Sequence, residues 1–192
     1  MNIFRRKQKK ISTDTLRNGV KLITDVDPKD IVSEQFRTVR TNINFSAVNQ
    51  KLKTIIFTSS AVSEGKSTVS ANLAVIWAQQ GQKALFIDSD LRRPTLHTTF
   101  GLLNTNGLST ALSTDIDFNS VVQKTEIDNL SVITSGPIPP NPSDLLSSNR
   151  MKELISYFKK IYDVIILDVP QLLSVTATQI IAAQADRSEE NQ

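Results

Sequence analysis

The stretch that most constrains the fold is Thr54–Thr68, where an apolar run leads into a loop of small residues ending in Gly65-Lys66-Ser67-Thr68. A strand that delivers such a loop to the start of a helix forms a cradle for phosphate, because backbone N–H groups in the turn point inward. The lysine adds positive charge, and the hydroxyl can hold magnesium. The pattern G-x-x-x-x-G-K-[ST] is incomplete, since Ser60 replaces its first glycine. The loop is therefore a candidate phosphate site that needs support from the rest of the chain.

Charge is concentrated at one end of the 192-residue chain, whose length suits one domain. The net charge is +3, but five basic residues lie among the first ten, and the remaining 17 basic residues face 19 acidic ones. The rest of the chain therefore shows no broad basic surface of the kind that binds nucleic acid. The basic end is interpreted as a solvated, disordered tail, and the alternative is contact with an anionic membrane surface or an acidic partner. The absence of cysteine excludes disulfides and thiol catalysis. No apolar run approaches the roughly 20 residues that span a bilayer.

The distribution of charge and the hydrophobic periodicity divide the sequence into three predicted regions. Residues 1–29 read as a basic, flexible arm, residues 30–186 as one domain, and residues 187–192 as a frayed end. The domain opens with an amphipathic helix whose apolar stripe we expect to be Val32, Phe36, Val39 and Ile43. Beside that stripe stand three charged residues, Glu34, Arg37 and Arg40. Taken alone, they are an exposed charge pair and a spare arginine.

Apolar runs alternate with helical patterns along the domain. Ala84–Ile87, Leu130–Thr134 and Val164–Leu167 read as buried strands, and a last helix is expected at about residues 176–185. Gly107 is expected to open a short helix between the strands. This alternation predicts an α/β fold with a mostly parallel sheet flanked by helices. Ligands of such sheets bind at the carboxyl ends of the strands.

Carboxylates follow two of the buried strands and are expected beside the loop. Magnesium takes one or two carboxylates together with phosphate oxygens. We therefore expect Lys66 to neutralise phosphate, Ser67 and Asp88 to hold Mg²⁺, and Asp168 to orient its water. Asp90 remains to accept a proton from an attacking hydroxyl. The predicted catalytic residues are thus Lys66, Asp88 and Asp90, and the predicted metal residues are Ser67, Asp88 and Asp168.

At these residues the sequence resembles the bacterial tyrosine kinases of capsule and exopolysaccharide synthesis, which are P-loop proteins. The resemblance covers about residues 33–185: Ser59–Thr68 is similar to the Walker A motif of the family, Ala84–Pro94 to its Walker A′ motif and Val164–Pro170 to its Walker B motif. It implies a P-loop NTPase fold and ATP and Mg²⁺ as cofactors. The ATP-binding residues that it implies are Ser60, Ser63, Glu64, Gly65, Lys66, Ser67 and Thr68.

The resemblance also implies an assembly and a place in the cell. Glu34, Arg37 and Arg40 look like the ExxRxxR helix through which such kinases form rings, which makes them expected interface residues. The implied protein is a cytoplasmic tyrosine (auto)kinase at the inner face of the membrane, recruited by a transmembrane activator or by its basic arm. The deviant-Walker ATPases of septum placement and chromosome partition are less similar, because their additional lysine corresponds to Ala61.

Departures from the family pattern leave two alternatives open. Ser63 stands where the family usually has glycine, and the family's tyrosine-rich tail is missing, so the chain looks C-terminally truncated. The first alternative is a catalytically weak nucleotide-binding or oligomerisation partner of a full-length kinase. The second is a non-functional truncated remnant.

Overall fold

A computed structural model describes residues 15–46, 53–59 and 65–170 of the chain. Within these ranges five strands form one sheet in the order β1-β5-β2-β4-β3. The strands are β1 (Thr54–Phe57), β2 (Ala84–Asp88), β3 (Val122–Lys124), β4 (Leu130–Ile133) and β5 (Val164–Asp168). Neighbouring strands from β1 to β4 in this order are parallel, and β3 pairs with β4 in the antiparallel sense. The predicted α/β fold with a mostly parallel sheet is confirmed.

Helices cover both faces of this sheet. They are α1 (Ile23–Val26), α2 (Ile31–Ser46), α3 (Lys66–Gln79), α4 (Leu96–Phe100), α5 (Leu108–Ser113), α6 (Pro142–Leu146) and α7 (Asn149–Lys159), with a 3₁₀ turn at Phe118–Val121. Gly107 precedes α5, as predicted. In the described part of the chain, no helix is long and apolar enough to cross a bilayer. The helix expected at residues 176–185 lies outside the described residues.

The central strands are buried on both faces, which explains their continuous apolar runs. Every residue of β2 and of β5 is buried. Along β2, Leu85 and Ile87 pack in a core cluster with α7 on one face, whereas Ala84 and Phe86 pack with α3 on the other. Side chains alternate between the faces of a strand, so a strand covered on both faces is apolar at every position.

Helix α3 is buried around most of its circumference over residues 70–78. One side packs on the sheet, and another is covered by the segment that contains α1, which adds hydrogen bonds to the apolar contacts of Val20 and Leu22. The side chain of Asn72 accepts a hydrogen bond from the Thr24 backbone N–H at 3.0 Å and donates to the carbonyl of Lys21 at 2.9 Å. Residues 20–26 therefore lie fixed against the helix that starts at the candidate loop.

The expected division of the chain at residue 29 stays a prediction. Residues 15–29 of the predicted arm belong to the described structure, and Thr24 within them is fully buried. The Ser33 hydroxyl donates to the carbonyls of Ile23 and Asp27, so α2 is held on α1 by hydrogen bonds. Residues 1–14, which hold the basic cluster, lie outside the described residues.

The predicted apolar stripe of α2 is half correct. Phe36 and Ile43 pack against the core, but Val32 and Val39 are 40% and 42% exposed. The helix turns Ser33 inward, where its hydroxyl finds backbone carbonyls, and this rotation leaves the two valines at the surface. The outer face of α2 therefore carries more apolar surface than the periodicity predicts.

Candidate functional site

The candidate site begins where the loop enters α3. Gly65 precedes this helix with φ +83°, a left-handed conformation that glycine adopts without strain. Lys66, Ser67 and Thr68 form the first turn of α3. Ser60, Ser63 and Glu64, which we predict to bind ATP, lie outside the described residues. The helix thus presents the lysine and the hydroxyl beside the carboxyl ends of the strands.

Asp168, the last residue of β5, is the point on which three side chains of α3 converge. The Lys66 ammonium lies 2.6 Å from its Oδ1, and the Ser67 hydroxyl donates to its Oδ2 at 2.7 Å. The Ser70 hydroxyl donates to Oδ1 at 3.1 Å. The Asp168 side chain is 1% exposed and that of Lys66 is 10% exposed. The lysine, the hydroxyl and the carboxylate therefore meet at one buried position, as the sequence predicts.

Asp88 lies beside Asp168 but has a different set of partners. The two residues are register partners at the ends of β2 and β5. The carboxylate of Asp88 accepts backbone N–H groups from Asp90 at 3.2 Å, Thr95 at 3.1 Å and Leu96 at 3.0 Å. Burial, with the neighbouring negative charge of Asp168, raises the pKa of Asp88 to about 7. Asp88 therefore fixes the loop that follows β2, a role that the sequence pattern does not reveal.

Asp90 sits at the start of that loop and is half-buried. Its Oδ1 accepts the backbone N–H of Arg93 at 3.0 Å. Burial raises the pKa of Asp90 above its usual value, and the positive charge of Lys66 opposes the rise. A partly buried carboxylate with a raised pKa near Lys66 is what a general base requires, and that role of Asp90 stays a prediction.

The donor set at this edge fits Mg²⁺. Ser67 and Asp168 offer oxygen ligands, which a hard cation prefers, and Asp88 adds a neighbouring carboxylate. Within the described ranges, no three or more Asp, Glu or His side chains are grouped so that they could hold a metal ion. Phosphate oxygens and water would have to complete the coordination, which is how Mg²⁺ is usually bound with nucleotides.

Ser70 is a site residue that the sequence analysis missed. It lies three residues after Ser67, so the two hydroxyls share one face of α3 and reach both oxygens of Asp168. This spacing was visible in the sequence, since residues i and i+3 of a helix are neighbours. The second hydroxyl holds the orientation of the Asp168 carboxylate.

The predicted interface residues lie on α2, apart from the strand ends. Arg37 binds Glu34 at 2.7 Å and donates to the carbonyl of Pro28 at the same distance. The Nε atom of Arg40 is buried, and no partner for it occurs among the described residues. Five exposed apolar residues accompany them on α1 and α2: Val26, Ile31, Val32, Val39 and Phe45.

Comparison with known proteins identifies relatives of the chain. A family model described as an AAA domain matches residues 52–187. The tyrosine-protein kinase YwqD of Bacillus subtilis is 49% identical over 167 residues, which cover 87% of this chain and 70% of that protein. The tyrosine-protein kinase etk of Escherichia coli K12 is 36% identical over 84% of this chain and 22% of its own length.

Two solved structures are similar to this chain in both fold and sequence. The chimerical protein CapA2B2 has a TM-score of 0.80 at 38% identity, covering 90% of this chain and 80% of that one. The kinase domain of the E. coli tyrosine kinase ETK also has a TM-score of 0.80, at 34% identity, covering 88% of this chain and 66% of that one.

A more distant likeness links the fold to septum-site proteins. The protein MinD of Pyrococcus horikoshii, solved in complex with Mg-ADP, has a TM-score of 0.57 at 26% identity, covering 68% of this chain and 54% of that one. The tyrosine kinases are the more similar group in both sequence and structure, in agreement with Ala61 at the position of the deviant-Walker lysine. The chain has the P-loop NTPase fold and belongs to the bacterial tyrosine-protein kinase family, with the AAA domain at residues 52–187.

Proposed function

We propose that the protein is an ATP- and Mg²⁺-dependent protein-tyrosine kinase that acts in capsular or exopolysaccharide synthesis. The observation that carries this proposal is the convergence of Lys66 and Ser67 on Asp168, next to Asp88, in a chain 49% identical to a tyrosine-protein kinase. Each of these groups has a place in phosphoryl transfer, which depends on positioning and charge stabilisation. Residues 60–68 would form the cradle for the phosphates.

The reaction assigns one task to each side chain. Lys66 would neutralise charge on the transferred phosphate. Ser67 and the carboxylates of Asp88 and Asp168 would hold Mg²⁺, which would offset the negative charge of the phosphate oxygens. The tyrosine hydroxyl attacks the γ-phosphorus, its proton passes to the carboxylate of Asp90, and the bond to the leaving ADP oxygen breaks. The half-buried position of Asp90 leaves it open to an incoming hydroxyl.

Labelled phosphate transfer from ATP to a tyrosine peptide tests this function. The wild-type chain with Mg²⁺ should label tyrosine, and Lys66→Met should abolish the label. Asp90→Asn should lower the rate by roughly 10²–10⁴-fold, the usual contribution of a general base. Lys83→Met, which removes a lysine at the opposite end of β2, is the matched control and should keep the wild-type rate. Undiminished label with Lys66→Met would refute the proposed site.

The exposed outer face of α2 supports a second part of the proposed function, which is assembly into a ring. Its exposed apolar residues and the ion pair of Arg37 with Glu34 would meet another copy or a full-length kinase. The ring would be cytoplasmic, at the inner face of the membrane, and held there by a transmembrane activator or by the basic N-terminal residues. A catalytically weak chain would still assemble in this way.

Sedimentation velocity tests the proposed oligomer separately from phosphoryl transfer. Arg37→Ala with Arg40→Ala should convert the oligomer to monomer, whereas Lys66→Met should leave the oligomer intact. As a control, Lys152→Ala removes an exposed charge on α7, and it should not change the mass. An oligomer that is indifferent to both arginines would rule out α2 as the interface.

A further inference from the structure

The loop after β2 places two arginines at a fixed position next to Asp90. The Arg93 backbone N–H donates to the carbonyl of Asp90 at 3.2 Å and to its carboxylate at 3.0 Å, which closes a tight turn. Leu91 within the turn is 1% exposed and anchors it in the core. Asp88 binds the backbone on both sides of the turn, at Asp90 and at Thr95. The turn is therefore held at both ends and in its middle.

Arg92 and Arg93 project from this turn into solvent. Both residues are exposed, and neither side chain has an ion-pair or hydrogen-bond partner in the described part of the chain. Two other arginines, Arg37 and Arg150, differ in this respect. Arg37 binds Glu34, and Arg150 donates to the carbonyl of Ile116 and stacks on Phe118. The turn thus presents two guanidinium groups whose pairing capacity is unused by the described structure.

We propose that Arg92 and Arg93 select substrates in which acidic residues flank the tyrosine. This inference rests on the proposed function: Asp90, the proposed acceptor of the tyrosine proton, lies in the same tight turn as both arginines, so a tyrosine that reaches Asp90 brings its flanking residues close to them. A guanidinium group pairs with a carboxylate through parallel hydrogen bonds and keeps its charge at any physiological pH. The arginines act as specificity residues and do not contact the reacting atoms.

The expected preference is modest, because both arginines are exposed. Solvent-exposed ion pairs are individually weak and are screened by salt. Two of them should favour a glutamate-flanked peptide over a glutamine-flanked one by about fivefold. Because the turn is already fixed, the backbone of the two arginines loses little conformational freedom when a peptide binds. Raising the salt to about 0.5 M should remove most of the preference.

Peptide binding tests the proposal independently of turnover. Three fluorescent peptides carry one tyrosine flanked by Glu, Gln or Lys, and their anisotropy is titrated with the full chain, Mg²⁺ and a non-hydrolysable ATP analogue. Wild type should prefer the Glu peptide, and the double variant Arg92→Glu with Arg93→Glu should prefer the Lys peptide. Lys83→Glu, at the opposite edge of the sheet, makes a single charge reversal and should keep the wild-type order.

Three results would overturn the inference. Equal affinity of wild type for the Glu and Gln peptides, or no measurable binding of the Glu peptide, would exclude acidic selection. A double variant that loses the ATP analogue but keeps the peptide order would assign the arginines to the nucleotide. Because the readout is binding, a chain that prefers the Glu peptide yet transfers no phosphate would contradict the kinase proposal and leave the specificity inference standing.

Discussion

Asp88 and Asp168 lie side by side as register partners at the ends of β2 and β5, yet their surroundings differ. Asp168 faces the Lys66 ammonium and two serine hydroxyls, whereas Asp88 faces backbone N–H groups of its own loop. Two buried carboxylates so close together disfavour a second negative charge. Burial and the negative charge of Asp168 accordingly raise the pKa of Asp88 to about 7.

This arrangement predicts how stability depends on pH in the metal-free protein. Because the pKa of Asp88 rises from 3.8 to about 7 on folding, the folded state holds a proton that the unfolded state has lost. The free energy of unfolding should therefore fall as pH rises from about 4 to 7, by at most about 1.4 kcal/mol per pH unit. Urea denaturation between pH 5 and 8 measures this slope.

The variant Asp88→Asn is the control for that slope. It should flatten the decline, with a smaller remainder from Asp90, whose pKa is also raised. His97, the one histidine of the chain, contributes with the opposite sign because burial lowers its pKa. Both proteins are therefore compared with His97→Gln in the background. A slope that Asp88→Asn leaves unchanged would contradict the assignment.

Gly65→Ala should impair nucleotide binding through the backbone. Gly65 has φ +83°, and a Cβ there would meet no atom within 4 Å, so the cost is conformational strain of about 1–2 kcal/mol. Gly81, with φ +79° and equal space, lies at the far end of α3 and provides a matched control. Both variants should lose similar stability, and only Gly65→Ala should lower the affinity for Mg-ATP. Calorimetry that finds equal affinity in both would contradict the role of this turn.

Asn72→Ala should release the N-terminal segment from α3. The substitution leaves the Thr24 N–H and the Lys21 carbonyl without their buried partner, which costs about 1–3 kcal/mol. Hydrogen exchange should increase in residues 20–33 more than in β2. Val69→Ala, at a 37% exposed position of the same helix, should leave the exchange of this segment near that of wild type. Uniform acceleration across the chain would show that Asn72 acts on global stability alone.

The elements that the sequence predicts well are those determined by apolar pattern. β2 and β5 are continuous apolar runs because both faces are covered, and parallel pairing brings Asp88 and Asp168 to one edge. β3 lacks such a pattern, since Val122–Lys124 is a short edge strand defined by its pairing with β4. The segment containing α1 is held by hydrogen bonds to Asn72, which hydrophobic periodicity does not register.

Close approaches within the site region also escape sequence reasoning. Gly107 opens α5 as predicted, but the need for glycine there comes from the Thr134 carbonyl, which would lie 2.2 Å from a Cβ. The three backbone N–H groups that bind Asp88 come from a loop with no motif of its own for this purpose. Residue types at strand ends therefore identified the candidate chemistry, whereas the positions of their partners required the fold.

The affinity for Mg-ATP, measured by calorimetry in wild type, Lys66→Met and Lys83→Met, tests the central claim most directly. The Lys66 ammonium is buried against Asp168 at the start of α3, so its loss should weaken binding by at least about tenfold, as expected for a charge-assisted hydrogen bond to phosphate. Lys83→Met should bind as wild type does. Equal affinity of Lys66→Met and wild type for Mg-ATP would contradict the assignment of this edge of the sheet as the nucleotide site.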